Sequence, residues 1–153
     1  MQDREYMQRA LELARIAAEQ GDVPVGALIV KDGRIISEGY NKREKCGIAT
    51  AHAEIIAIER ACEALGGWYL SGCTLYVTLE PCPMCAGALI NSRIDRVVYG
   101  VGDSKAGCLG SVLDMNRYPF NHSFEVESGV LAEECAELLT EFFKNKRNKK
   151  TAE

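Results

Sequence analysis

Four side chains, His52, Glu54, Cys82 and Cys85, are of types and spacings that could do chemistry together. Cys82 and Cys85 stand three residues apart in Pro81-Cys82-Pro83-Met84-Cys85, so on the first turn of a helix both sulfurs face one side. A helix N-terminus also favours thiolates, because its dipole and unbonded backbone N–H groups stabilise negative charge. Two thiolates and the His52 imidazole make three ligands, and a tetrahedral zinc with only three protein ligands keeps its fourth position open for water. Glu54 follows His52 by two residues, about 200° around an ideal helix, which sets it poorly for the inner shell and leaves it to approach the water from beside the metal. Zinc lowers the pKa of such a water from about 15.7 to about 7, and an adjacent carboxylate can accept the proton and return it.

Each piece also has a plainer reading. A single histidine is commonly a hydrogen-bonded core residue, and one Cys-x-x-Cys can be a redox pair or half of a structural zinc site. A structural zinc would need a fourth ligand, for which Cys46, Cys108 and His122 are available without any paired spacing. Cys62, Cys73 and Cys135 fall in or beside expected helices and strands and read as small buried side chains. Taken together, H-x-E followed by P-C-x-x-C is the pattern of zinc nucleobase deaminases, in which the glutamate is not a ligand.

The elements that must position these residues alternate along the chain. Apolar side chains at Met7, Leu11, Ala14 and Ala18 predict a helix from about Arg4 to Gln20, ending at Gly21. Val25–Val30 and Arg34–Tyr40 flank Lys31-Asp32-Gly33, an Asp-Gly signal for a β-hairpin. A helix over Ala51–Leu65 stops at Gly66-Gly67, and a strand over Thr74–Leu79 leads into a helix from Pro83 to about Ser92. Strands at Arg96–Gly100 and Ser123–Glu127 bracket a glycine-bearing loop, and a last helix starts near Leu131. Two strand-then-helix units after an opening hairpin imply an α/β fold with a mixed sheet of five strands, because parallel strands need long crossovers.

Composition agrees with one domain spanning residues 1–153: nearly half of the 153 residues are hydrophobic, and no repeat or Pro/Ser-rich linker interrupts them. No apolar run approaches the roughly 20 residues that span a bilayer, and Met1-Gln2-Asp3-Arg4-Glu5 lacks a signal-peptide pattern, so a cytoplasmic protein without a membrane partner is expected. Seven cysteines without an export signal point to metal binding or burial rather than disulfides. A net charge of -4 conceals a basic tail over about 144–153, with Lys144, Lys146, Arg147, Lys149 and Lys150. That tail is either a solvated helix end or an arm that binds phosphates.

From Gly21 to about Arg147 the chain resembles the bacterial tRNA-specific adenosine deaminases of the cytidine deaminase-like superfamily. The resemblance is carried by Asp22–Ala27, Thr50–Glu54, Thr74–Cys82, Met84–Ala88, Ser92-Arg93-Ile94, Arg96–Gly100, Asn121-His122 and the Gly129–Phe143 segment. It implies a three-layer α/β/α fold, one zinc per chain, a homodimer, and conversion of adenosine to inosine at the wobble position of a tRNA anticodon stem-loop. Glu54 would then protonate the adenine ring and afterwards the departing ammonia. Asn41 matches the family's base-contacting asparagine, although by residue type alone it is a turn former, and Asp103 falls in the family's substrate loop, although it also reads as an exposed acid. Two departures stand out: Ala49 where the family has proline, which predicts a differently shaped loop before His52, and Pro83, which is commoner in guanine deaminases. The alternatives are a guanine or cytidine deaminase of the same superfamily, or a zinc-stabilised binding module without catalysis.

Overall fold

A computed structural model describes residues 2–152; Met1 and Glu153, the two ends of the expected domain, lie outside the described residues. The elements in chain order are α1 (Gln2–Glu19), β1 (Gly26–Lys31), β2 (Arg34–Tyr40), α2 (Arg43–Cys46), α3 (Ala53–Leu65), β3 (Cys73–Leu79), α4 (Pro83–Asn91), β4 (Arg96–Val101), β5 (Glu125–Ser128) and α5 (Ala132–Ala152). A single 3-10 turn, Met115–Arg117, interrupts the long loop before β5.

The sheet order is β2-β1-β3-β4-β5. β1 pairs antiparallel with β2 and β3, whereas β3, β4 and β5 run parallel, which gives the expected mixed five-stranded sheet. The β1–β2 turn uses Asp32 and Gly33, both at positive φ, the backbone that matches strand twist in a two-residue hairpin. Because strand side chains alternate, the sheet separates two cores. Ala27, Ile29, Leu75, Val77, Val97 and Tyr99 join Ala57 and Ala61 of α3 and Leu89 of α4 on one face. Leu28, Val30, Tyr76 and Val98 meet Met7 and Leu11 of α1 and Cys135 of α5 on the other. The result is the three-layer α/β/α arrangement.

Two glycines set distances that matter for the site. A Cβ on Gly39 of β2 would lie 2.6 Å from the Ala53 carbonyl oxygen and 3.0 Å from the Ala57 nitrogen, so its absence lets the start of α3 sit directly on the sheet. Gly107 makes a similar approach in the loop after β4, where a Cβ would come within 2.3 Å of the Glu80 carboxyl group.

Boundaries differ from expectation in instructive ways. α3 begins at Ala53 rather than Ala51, and β5 spans Glu125–Ser128 rather than Ser123–Glu127. All four β5 residues are exposed, so no alternation of burial marks that strand. The short helix α2 has no counterpart among the expected elements; none of its residues is buried, and it hangs instead on Asp22, whose carboxylate accepts from the Glu44 N–H at 3.0 Å. The basic tail continues α5 as helix through the described residues.

Candidate active site

The carboxyl ends of β2, β3 and β4 and the start of β1 lie at one edge of the sheet, where open α/β sheets bind ligands. Their continuations, Asn41, Glu80, Cys82 and Gly102–Ala106, together with Val25, line one cleft of about 480 Å³. Arg43, Leu139 and Phe143 complete its rim. His52, Glu54 and Cys82 form part of its wall, so residues from the two expected helix starts converge.

The ligand positions are helix caps. Cys82 is the N-cap of α4 with Pro83 in the first turn, a position that proline suits because its missing N–H would have no helical partner. His52 is the N-cap of α3, with extended backbone at φ -81° and ψ 149°. The helical-wheel angle expected between His52 and Glu54 therefore does not apply, since only Glu54 is inside the helix; the turn between them is set by Asn41, whose side-chain oxygen accepts from the Ala53 N–H at 2.8 Å.

The His52 Nδ1 atom lies 3.7 Å from Cys82 Sγ and 3.6 Å from Cys85 Sγ, and all three donor atoms lie within 4.8 Å of one another. With Zn–S near 2.3 Å and Zn–N near 2.0–2.1 Å, a tetrahedral ion would separate N from S by about 3.5–3.6 Å. The donor set thus fits zinc in both chemistry and spacing. Among the described residues this is the one group of three such donors. Of the candidates for a fourth ligand, Cys46 is exposed, Cys108 Sγ faces the Ala106 carbonyl at 3.4 Å, and His122 Nε2 lies 2.6 Å from the Ile94 carbonyl. A closed four-ligand site has no support here.

Three groups packed this closely ionise unevenly. Cys82 is pulled down to about 4, chiefly because it accepts from the Cys85 thiol and also from His52, against the opposing effect of burial. Cys85 is pushed up by that same bond to Cys82 and by burial, and His52 is raised by its hydrogen bond with Cys82. A dication between the sulfurs would ionise both. Glu54, only 4% exposed, is raised to about 7 chiefly by burial, with the Cys82 charge adding to it, against a backbone hydrogen bond and the His52 charge that lower it.

The profile of the MafB19-like deaminases covers residues 1–147. The tRNA-specific adenosine deaminase of Bacillus subtilis (strain 168) is 51% identical over 152 residues, 99% of this chain and 94% of that protein. The chain belongs to the tRNA-specific adenosine deaminase family. A solved structure from work on A-to-I editing by tRNA:A34 deaminases at the wobble position of transfer RNA superimposes with a TM-score of 0.85 at 46% identity, covering 88% of this chain and 99% of that one. A guanine deaminase from Nitrosomonas europaea gives 0.76 at 27% identity, covering 91% and 83%. Among relatives and neighbours, the likeness to the tRNA enzymes is the stronger.

Within this family member, Asn41, 5% exposed, and Asp103 both line the cleft. Asp103 is also a turn builder, accepting from the Lys105 and Ala106 N–H groups at 3.0 and 3.2 Å. Sequence reasoning passes over Glu80, a carboxylate only 2% exposed beside the ligand loop. Burial would raise it, but donation from the Ser111 hydroxyl and the Asp103, Leu109 and Ser111 N–H groups holds it below the ordinary carboxylate range. An acid immediately before a ligand motif is the available signal. Among the described residues, no helix is long and apolar enough to cross a membrane.

Proposed function

We propose that this chain is a cytoplasmic, zinc-dependent hydrolase that converts adenosine to inosine at the wobble position of a tRNA anticodon stem-loop, working as a homodimer. One observation carries the reading: a single cleft combines the His52-Cys82-Cys85 donor set with the buried acid Glu54. The relative at 51% identity and the structural neighbour at 46% identity, both tRNA deaminases, supply the substrate, and the resemblance supplies the homodimer.

His52, Cys82 and Cys85 would hold the metal. Zinc bound there supplies a Lewis acid and makes water nucleophilic at neutral pH. Glu54 carries one proton of the water to ring N1 while the oxygen joins C6. It then carries the second to the exocyclic nitrogen, the C6–N bond breaks, and ammonia leaves with inosine as product. Asn41 has its amide oxygen committed to the Ala53 N–H, so its amide hydrogens are what it offers to a base. The target base must leave its stack to reach this depth, and single-stranded loops allow that at low cost. Lys144 follows Phe143 of the rim directly, and about 1.5 Å of helical rise per residue keeps the basic tail within reach of flanking phosphates.

The purified protein should be offered an arginine-tRNA anticodon stem-loop, free guanine and free cytidine while inosine and ammonia are followed. Inosine in the stem-loop with matching ammonia is expected. Ammonia from guanine alone would contradict the substrate assignment.

A further inference from the structure

Glu80 ends the run from β3 into the ligand loop and makes none of its hydrogen bonds to the ligand set. Its Oε1 accepts from the Asp103 N–H at 3.0 Å and from the Ser111 hydroxyl, and its Oε2 accepts from the Leu109 and Ser111 N–H groups at 2.9 and 3.1 Å. All four donors belong to the segment 102–111. The near part of that segment, Gly102 to Ala106, walls the cleft. Backbone bonds reinforce the attachment on either side of the carboxylate, from the Glu80 N–H to the Val101 oxygen and from the Cys108 N–H to the Pro81 oxygen, both 2.9 Å. Gly107 is pressed so close that a Cβ would come 2.3 Å from the Glu80 carboxyl carbon and 2.6 Å from the Asp103 oxygen.

A buried carboxylate is costly unless its lone pairs are filled, and here one stretch of loop fills them. The acceptor requirement is strict. Each oxygen faces at least one backbone N–H, so an amide of the same shape would turn its NH2 toward an N–H in either orientation. We propose that Glu80 is a positioning residue whose carboxylate holds segment 102–111 in place as a wall of the substrate cleft. This rests on reading the cleft as the stem-loop site, and it assigns Glu80 to substrate binding and not to the metal or the proton transfers. A wall touches bound substrate and transition state alike, so loosening it raises KM and leaves kcat nearly unchanged.

The test uses the zinc-loaded protein and its Glu80→Gln, Gly107→Ala and Ser111→Ala variants. It measures zinc per chain, amide hydrogen exchange at Asp103, Leu109 and Ser111, and KM and kcat for the stem-loop. Glu80→Gln should keep its zinc, exchange those amides about tenfold faster or more, and raise KM by a similar factor, the effect of removing a hydrogen bond to a charged acceptor. Gly107→Ala should reproduce this pattern and add little to Glu80→Gln in the double variant, because both break one attachment. Ser111→Ala should give a smaller rise and answers the question if Glu80→Gln does not fold. Zinc loss in Glu80→Gln, a fall in kcat with unchanged KM, or faster exchange with unchanged KM would each overturn the proposal. If the wild type deaminates only guanine, the stem-loop reading fails, and the exchange rates together with KM for guanine still decide the role of Glu80.

Discussion

The floor and the rim of the cleft are built differently. At the floor, two helix starts bring His52, Cys82 and Cys85 together, with Glu54 the second residue of α3. Each pair is local in sequence, and the caps are fixed by short-range devices: Pro83 in the first turn of α4 and the Asn41 oxygen on the Ala53 N–H. At the rim, Arg43, residues 102–106, Leu139 and Phe143 come from segments far apart in the chain, and the largest of them is held by Glu80 across 23 to 31 residues. Under the proposed function, the floor carries the hydrolysis and the rim meets the incoming nucleotide.

Perturbations should separate the two regions. The largest effect belongs to the floor: Cys82→Ala leaves two ligands, so zinc should fall to background and turnover below detection, while stem-loop binding measured by fluorescence anisotropy stays close to wild type. Binding that disappears in parallel with zinc would break the division. A smaller effect belongs to the rim: replacing Lys149 and Lys150 with alanine should lower the slope of log KM against log salt by about 0.7 for each phosphate no longer neutralised, with kcat unchanged. An unchanged slope would return the tail to a solvated helix end.

The smallest effect lies outside both regions. Arg96 donates to both oxygens of Asp3 at 2.8 and 3.0 Å, and this bond, with help from the Tyr76 hydroxyl, lowers the Asp3 carboxyl to about 2 against burial. A depressed folded pKa stabilises fully above the unfolded value of 3.8 and loses that contribution as pH falls toward 2. Asp3→Asn should therefore lower Tm at pH 7 by about 2–4 °C or less, as befits a partly exposed pair worth at most about 1 kcal/mol, and the difference should close between pH 4 and 2. Deamination kinetics should not move. A Tm difference that persists at pH 2 would contradict the ion pair.

What can be read from the sequence follows the same line. β1 and β3 are legible as short apolar runs buried almost throughout, and α1 because its buried residues recur at helical spacing. The metal donors are legible because helix-start chemistry is local. Glu80 is not, because its partners are backbone N–H groups of a distant loop and any residue type except proline supplies an N–H. Helix α2 escapes for a related reason, since it has no buried residue, and strand β5, exposed throughout, is anticipated only with shifted bounds because no alternation of burial marks its ends. The sequence places His52 inside α3 because Ala51 is a good helix former, but the Asn41 cap starts the helix two residues later.

The most direct test of the central claim is the zinc content and single-turnover rate of Glu54→Gln beside wild type and Cys82→Ala. A proton carrier outside the ligand set predicts one zinc per chain and a rate lower by about 10²–10⁴-fold. Zinc loss comparable to that of Cys82→Ala, or a rate near wild type, would contradict it.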